Sequence, residues 1–180
     1  MIREARADDV PAVVGLVHEL AEYERAAASC TLTEAQLHAA LFGPEPVAQC
    51  HVAVAEGEAA GEVVGCALWF LNFSTWTGVA GIHLEDLFVR PAHRGSGFGR
   101  ALLAALAAVC VERGYARLEW QLLDWNEPSI GFYRALGAVP MDEWTSYRLD
   151  GDALAAFAVN GPVRALPADR GPSTRSGTPR

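Results

Sequence analysis

The chain has 180 residues, 51% of them hydrophobic and 20% charged, a composition suited to one globular core and lacking the ~20-residue apolar run that crosses a bilayer. Its net charge of −8 is unevenly spread: residues 1–159 carry ten Arg against 21 acids, whereas the stretch from Asn160 carries four Arg and Asp169. An acidic body disfavours nucleic acid and anionic membrane as partners and is compatible with a cationic substrate.

In chain order, Ile2 to Ala5 reads as a short strand. Asp8 or Asp9 can cap a helix with Pro11 in its first turn, and Val10, Val13, Val14, Val17, Leu20 and Ala21 follow at helical spacing. Thr33 with Gln36 three residues on forms a capping box, and Gly43 is a natural stop for that second helix. Strands are expected over Ala48 to Glu56 and Val63 to Asn72, joined by a turn around Gly57 and Gly61, and over Ile82 to Val89. A helix from Gly97 places Phe98, Leu102, Leu106, Val109 and Cys110 on one stripe and stops at Gly114. Leu118 to Leu123 reads as a strand, and Asn126 opens a helix through Leu136 that Gly137 ends. A last strand is expected near Trp144 to Leu149, with a short helix after Asp150. The order predicts an α/β fold, a mixed sheet with helices on both faces. From Asn160 onward Pro, Gly, Ser, Thr and Arg dominate, so residues 1–159 are expected to form a single domain and 160–180 a disordered tail.

Cys30, Cys50, Cys66 and Cys110 are widely separated, without a C-x-x-C pair, and the five histidines show no pair at metal-ligand spacing. Reduced thiols and no metal are expected. The start, Met1-Ile2-Arg3-Glu4-Ala5, has no signal-peptide apolar core, so a cytoplasmic location is expected.

The stretch Arg94-Gly95-Ser96-Gly97-Phe98-Gly99 joins a strand-like run to a helix-like run. Three glycines in five residues let the backbone turn tightly and approach a ligand closely. Bare N–H groups at a helix mouth form an anion site, and Arg90, Arg94 and Arg100 add positive charge in an otherwise acidic chain. Spacing narrows the ligand. A P-loop needs a lysine, and all 14 basic residues are arginine. The dinucleotide pattern Gly-x-Gly-x-x-Gly/Ala fails, because its sixth position is Arg100 or Leu102.

What remains resembles the Arg/Gln-x-x-Gly-x-Gly/Ala loop of the GNAT family of N-acetyltransferases, which holds the pyrophosphate of acetyl-CoA. Further segments are similar to the diamine branch of that family, the spermidine/spermine and thialysine N-acetyltransferases. These are Trp125-Asn126-Glu127-Pro128-Ser129-Ile130-Gly131-Phe132-Tyr133, Leu84-Glu85-Asp86-Leu87-Phe88-Val89 and Glu19-Leu20-Ala21-Glu22-Tyr23-Glu24. Leu32-Thr33-Glu34, Trp76 before Gly78, and Trp144 add to the likeness, which runs from about Ile2 to Ala158.

The resemblance implies a GNAT-type sheet whose central parallel strands splay apart to admit the pantetheine arm. It assigns Leu87, Phe88, Val89, Arg94, Gly95, Ser96, Gly97, Phe98, Gly99, Arg100, Asn126, Ser129 and Tyr133 to acetyl-CoA. Asn126, Ser129 and Tyr133 also share one face of their helix. Tyr133 would act as general acid on the leaving thiolate. Glu85 and Asp86 are paired acids in an apolar strand, a costly placement that suggests function. An alkyl amine has a pKa near 10 and must lose a proton to attack. By resemblance Glu85 is the better base, with Asp86 helping to bind substrate; strict alternation would turn only one of them to the cleft, but the family's strand carries a bulge there. Tyr23, Glu24, Trp76 and Trp144 complete the amine site, with His83 near it. The implied activity is acetyl transfer from acetyl-CoA to a primary amine of a small polycation, by direct attack, in a homodimer. Acetylation of a protein or antibiotic amine, and a non-catalytic acyl-CoA-binding module, stay open as alternatives.

Overall fold

The computed structural model describes residues 1–55 and 61–160. The turn expected around Gly57 and the tail expected after Asn160 lie outside the described residues. The chain divides into two units, Met1–Glu127 and a second from Pro128.

The first unit runs β1 (Ile2–Glu4), α1 (Val10–Tyr23), α2 (Glu34–Phe42), β2 (Gln49–Ala55), β3 (Glu62–Ser74), β4 (Val79–Val89), α3 (Phe98–Arg113) and β5 (Leu118–Trp120). The strands lie in the order β1-β2-β3-β4-β5. The first four pair antiparallel and β4 pairs with β5 in parallel, so the sheet is mixed as the element order predicts.

Strand alternation explains the two-sided core. Cys50, Val52, Val54, Val63, Cys66, Leu68 and Phe88 form one buried cluster with Val10, Val13 and Leu16 of α1 and Leu37 and Leu41 of α2. Intervening residues such as Ala53, Val64 and Ala67 turn to the other face, where α3 buries Leu102, Leu103, Leu106 and Cys110. Phe98 and Val109, expected on the same stripe, are half-buried at its edges. Each fully buried Leu or Val contributes about 1.5–3 kcal/mol over its exposed form.

Local chemistry sets most helix ends. Thr33 Oγ1 accepts from the Gln36 N–H at 3.3 Å while the Thr33 N–H donates to Gln36 Oε1 at 2.9 Å. At Gly43 an added Cβ would stand 2.4 Å from the Ala39 carbonyl oxygen, so close backbone approach requires glycine there. Asp9 precedes α1 but its side chain does not cap it. The carboxylate instead accepts from the Arg3 guanidinium at 2.6 and 2.9 Å and from the Arg6 N–H at 2.7 Å, and the Arg3 hydrogen bond holds its pKa below the usual carboxylate range.

The second unit contains α4, which runs Glu127–Ala135 from the end of the first unit, and α5 (Gly151–Asn160). Gly137 stops α4 in the left-handed region at φ 87°, as expected. The strand expected near Trp144 to Leu149 is absent: residues 144–149 join no ladder, and the described sheet ends at β5. The strand expected over Leu118 to Leu123 is shorter in the structure, running Leu118–Trp120.

Candidate active site

Two features of β4 organise the site. The first is a bulge. Leu68 pairs with Asp86 and Trp69 with Leu84, so Glu85 is an extra residue in β4. A bulge breaks alternation and re-aims side chains. Glu85 is 62% exposed, with its Oε2 3.8 Å from His83 Nε2, whereas Asp86 is largely buried.

The second is a parting of parallel strands. The β4–β5 ladder covers Ile82, His83 and Leu84 against Leu118, Glu119 and Trp120, and stops there. Leu87, Phe88 and Val89 continue β4 along its β3 partner, with no ladder partner on the β5 side. That leaves strand-edge backbone beside the acidic pair, the feature expected of a sheet that admits an extended ligand arm.

Burial, reinforced by the neighbouring Glu85 and Glu24 carboxylates, pushes Asp86 up to about 6. Burial also raises Glu24, at the C-cap of α1. Asp86 and Glu24 thus sit in a drier environment, and Asp86 also feels its acidic neighbours, which favours a cationic guest. Trp76, 87% exposed, stands in the turn between β3 and β4, where the Gly78 N–H donates to the Ser74 carbonyl at 2.8 Å.

The loop after β4 matches a pyrophosphate-binding turn. Gly95 and Gly97 hold φ 78° and 84°, which L side chains rarely adopt. A Cβ built on either would meet nothing within 4 Å, so the loop mouth is open. Gly97 is the N-cap of α3 and supplies no side-chain cap; the first N–H groups of a helix lack intrahelical partners. Ser96 and Arg100 are exposed beside it, while Phe98 and Gly99 are half-buried. These residues fit the pyrophosphate of acetyl-CoA.

Of the three arginines expected to supply charge, two are otherwise engaged. Arg90 bridges Glu19 of α1 at 2.9 Å and Glu62 of β3 at 2.7 Å. Arg94 lies over the Tyr23 and Phe88 rings, 5.1 and 5.4 Å from their centroids, and its Nε donates to the Val89 carbonyl at 2.9 Å. Tyr23, expected at the amine cleft, donates through its hydroxyl to Asn126 Oδ1 at 3.0 Å. Asn126 is 7% exposed. The Arg94–Tyr23 and Tyr23–Asn126 contacts escape sequence reasoning because they join residues 71 and 103 positions apart in the chain.

In the second unit Ser129 and Tyr133 lie on α4, half-buried. The Tyr133 ring packs 5.2 Å from Phe132, and burial pushes its phenol up to about 12. Trp144 is 66% exposed. Among the described residues there is no group of His, Cys, Asp and Glu that could hold a metal ion, and no helix long and apolar enough to cross a membrane.

The chain is similar to known proteins in sequence and in fold. The family description for GNAT acetyltransferases matches residues 15–138. The bovine thialysine N-epsilon-acetyltransferase is 38% identical over 165 residues, covering 88% of this chain and 96% of its own. An L-ornithine N5-acetyltransferase of Arabidopsis thaliana is 31% identical, covering 87% and 86%. Among solved structures, an integron cassette protein from the mobile metagenome of V. cholerae superposes with TM-score 0.72 at 25% identity, covering 88% of this chain and 96% of that one. With the glycine loop, the bulged acidic strand and the parted parallel strands all in place, the chain belongs to the GNAT family and is an acetyl-CoA-dependent acetyltransferase.

Proposed function

We propose that this enzyme acetylates a primary amine of a small polycation, a polyamine or a diamino acid of the lysine/thialysine type, by direct attack on acetyl-CoA. The observation that carries the reading is the acidic group at the bulge: Asp86, raised to about 6 by burial and by Glu85 and Glu24. An ammonium placed there relieves the like-charge repulsion, and a second ammonium on the same molecule adds to it. Relatives named for the N-epsilon of thialysine and the N5 of ornithine support an amine at the end of a short chain.

Acetyl-CoA supplies the activated acetyl group as a thioester. Gly95, Ser96, Gly97, Phe98, Gly99 and Arg100 bind its pyrophosphate through backbone amides and one guanidinium, with Arg94 at the head of the loop. Leu87, Phe88 and Val89 hold the pantetheine arm by strand-edge backbone, together with Asn126, Ser129 and Tyr133. Glu24, Asp86, Trp76 and Trp144 bind the amine, carboxylates to ammonium groups and aromatic faces to the alkyl chain. Glu85, on the exposed side of the bulge, takes the amine proton directly or through a water. The nitrogen lone pair then forms the C–N bond, the C–S bond breaks, and Tyr133 protonates the departing thiolate.

A second reading of the base has its own support. Asp86 is the more buried acid of the pair and, at about 6, has a proton affinity suited to a base near neutral pH. The Glu85→Gln and Asp86→Asn rate profiles separate the two, because the variant lacking the base loses the acid limb of kcat/KM.

The chain is proposed to act as a homodimer in the cytoplasm. In the second unit Met141, Trp144, Tyr147 and Phe157 are 66–95% exposed, more apolar surface than a solvated segment ordinarily shows. The substrate reading is tested by incubating the enzyme with acetyl-CoA and a panel of polyamines, diamino acids, peptides with free N-termini and aminoglycosides, with products weighed by mass spectrometry. Monoacetylated diamines support it; acetylated peptide or aminoglycoside alone overturns it.

A further inference from the structure

The end of α1 carries an unusual backbone choice. The Arg25 N–H donates to the Glu22 carbonyl at 3.0 Å and the Ala26 N–H to the Ala21 carbonyl at 2.8 Å, the paired bonds of a Schellman C-cap. Its C′ residue takes the left-handed conformation and is usually glycine. Here it is Arg25 at φ 61°, the non-glycine residue with positive φ among the described residues. Glycine would fit more easily, so a side chain at this position has a use that offsets the backbone cost.

Its contacts show that use. The Arg25 guanidinium lies over the Trp125 ring, 5.2 Å from the centroid. Trp125 packs against Tyr23, with centroids 6.0 Å apart at 47°, within the range of favourable aromatic pairs. The Tyr23 hydroxyl donates to Asn126, and the Tyr23 ring carries the Arg94 guanidinium. One continuous set of contacts therefore joins the end of α1, the turn at 123–126 and the start of the glycine loop.

We propose that Tyr23, Arg25 and Trp125 form a clasp that positions Asn126 and Arg94, and so sets the acetyl-donor site from two sides. They are positioning residues. Tyr23 in this account acts on the donor through its two neighbours rather than through the amine, a change from the role that the sequence suggests. The inference rests on the assignment of Asn126 and Arg94 to acetyl-CoA, and its test includes a readout that needs no ligand.

Arg25→Gly relieves the left-handed residue while removing the cation over Trp125. Its Tm is expected to stay within a degree or two of wild type while Kd for acetyl-CoA, by calorimetry, rises about 3- to 10-fold, the span of one modest cation–π or hydrogen bond. Arg25→Lys keeps a cation over the ring and restores most of the affinity. Tyr23→Phe keeps the ring and loses the bond to Asn126, with a similar rise in Kd. The double variant falls short of the product of the two effects, because both act on the placement of Asn126. In the ligand-free protein, hydrogen exchange at 94–99 and 123–127 quickens in Arg25→Gly while strands β2 and β3 stay unchanged. Wild-type Kd in both single variants overturns the clasp, as does unchanged exchange in those two segments. Failure of the wild-type enzyme to bind acetyl-CoA refutes the donor-site assignment instead, and the exchange measurement still decides the clasp.

Discussion

Burial and the Glu85 and Glu24 carboxylates raise the Asp86 carboxyl from an ordinary 3.8 to about 6, so below that pH it is neutral and holds an ammonium poorly. KM for the amine is expected to climb as pH falls through 6 in the wild type, and to stay high and flat in Asp86→Asn. The same shift acts on stability. A carboxylate with a raised folded pKa costs nothing below its unfolded value, and its penalty grows as pH rises through 6 and is full above it. At about 1.4 kcal/mol per unit, reduced by half for partial exposure, Asp86→Asn should gain roughly 1–2 kcal/mol at about pH 8 and nothing at about pH 3. An equal gain in Tm at both values would contradict the assignment. For Tyr133, burial to about 12 keeps the phenol protonated across the working range. It also makes proton donation to a thiolate of pKa about 8.5 uphill, so its effect belongs at the low end of the 10²- to 10⁴-fold range for acid–base groups. Tyr133→Phe is expected to lower kcat about 10²-fold with KM for acetyl-CoA unchanged, by steady-state kinetics. Wild-type kcat would return Tyr133 to a packing role.

Helix α3 joins fold and chemistry. Gly97 is its N-cap at φ 84° with open space beside it, so Gly97→Val meets backbone strain of about 1–2 kcal/mol and fills the loop mouth. A modest loss of Tm with a more than tenfold loss of acetyl-CoA affinity is expected by calorimetry; equal affinity would refute the loop assignment. Thr33→Ala, which removes the cap of α2, should cost about 1 kcal/mol and leave kinetics alone. These devices are legible in the sequence because their chemistry is local: a hydroxyl three residues before an amide, a glycine where φ turns positive. The glycine loop and the acidic pair are legible for the same reason. Non-local partners are not. Asp9 looks like a cap until Arg3 of β1 takes its carboxylate. Arg90 looks like loop charge until Glu19 and Glu62 claim it. The left-handed Arg25 follows no rule of composition, and the segment 144–149, read as a strand, is not among the five strands of the described sheet.

At the scale of the molecule, an acidic body with net charge −8 draws cations by its long-range field, and salt should weaken that attraction. Exposed Trp144, Tyr147 and Phe157 lead to the expectation of a two-chain mass in sedimentation, with Phe157→Asp shifting it toward one chain; a single-chain mass for the wild type would refute the dimer. The central claim is transfer to an amine of a molecule carrying a second positive charge. It is met most directly by initial rates of CoA thiol release with a diamine and with the monoamine of equal chain length, both acetyl-CoA and amine being varied. Intersecting double-reciprocal lines are expected, as direct attack requires, with kcat/KM at least about tenfold higher for the diamine, since pairing one more ammonium with a partly buried carboxylate is worth about 1.4 kcal/mol or more. Parallel lines, or a monoamine as good as the diamine, would contradict it.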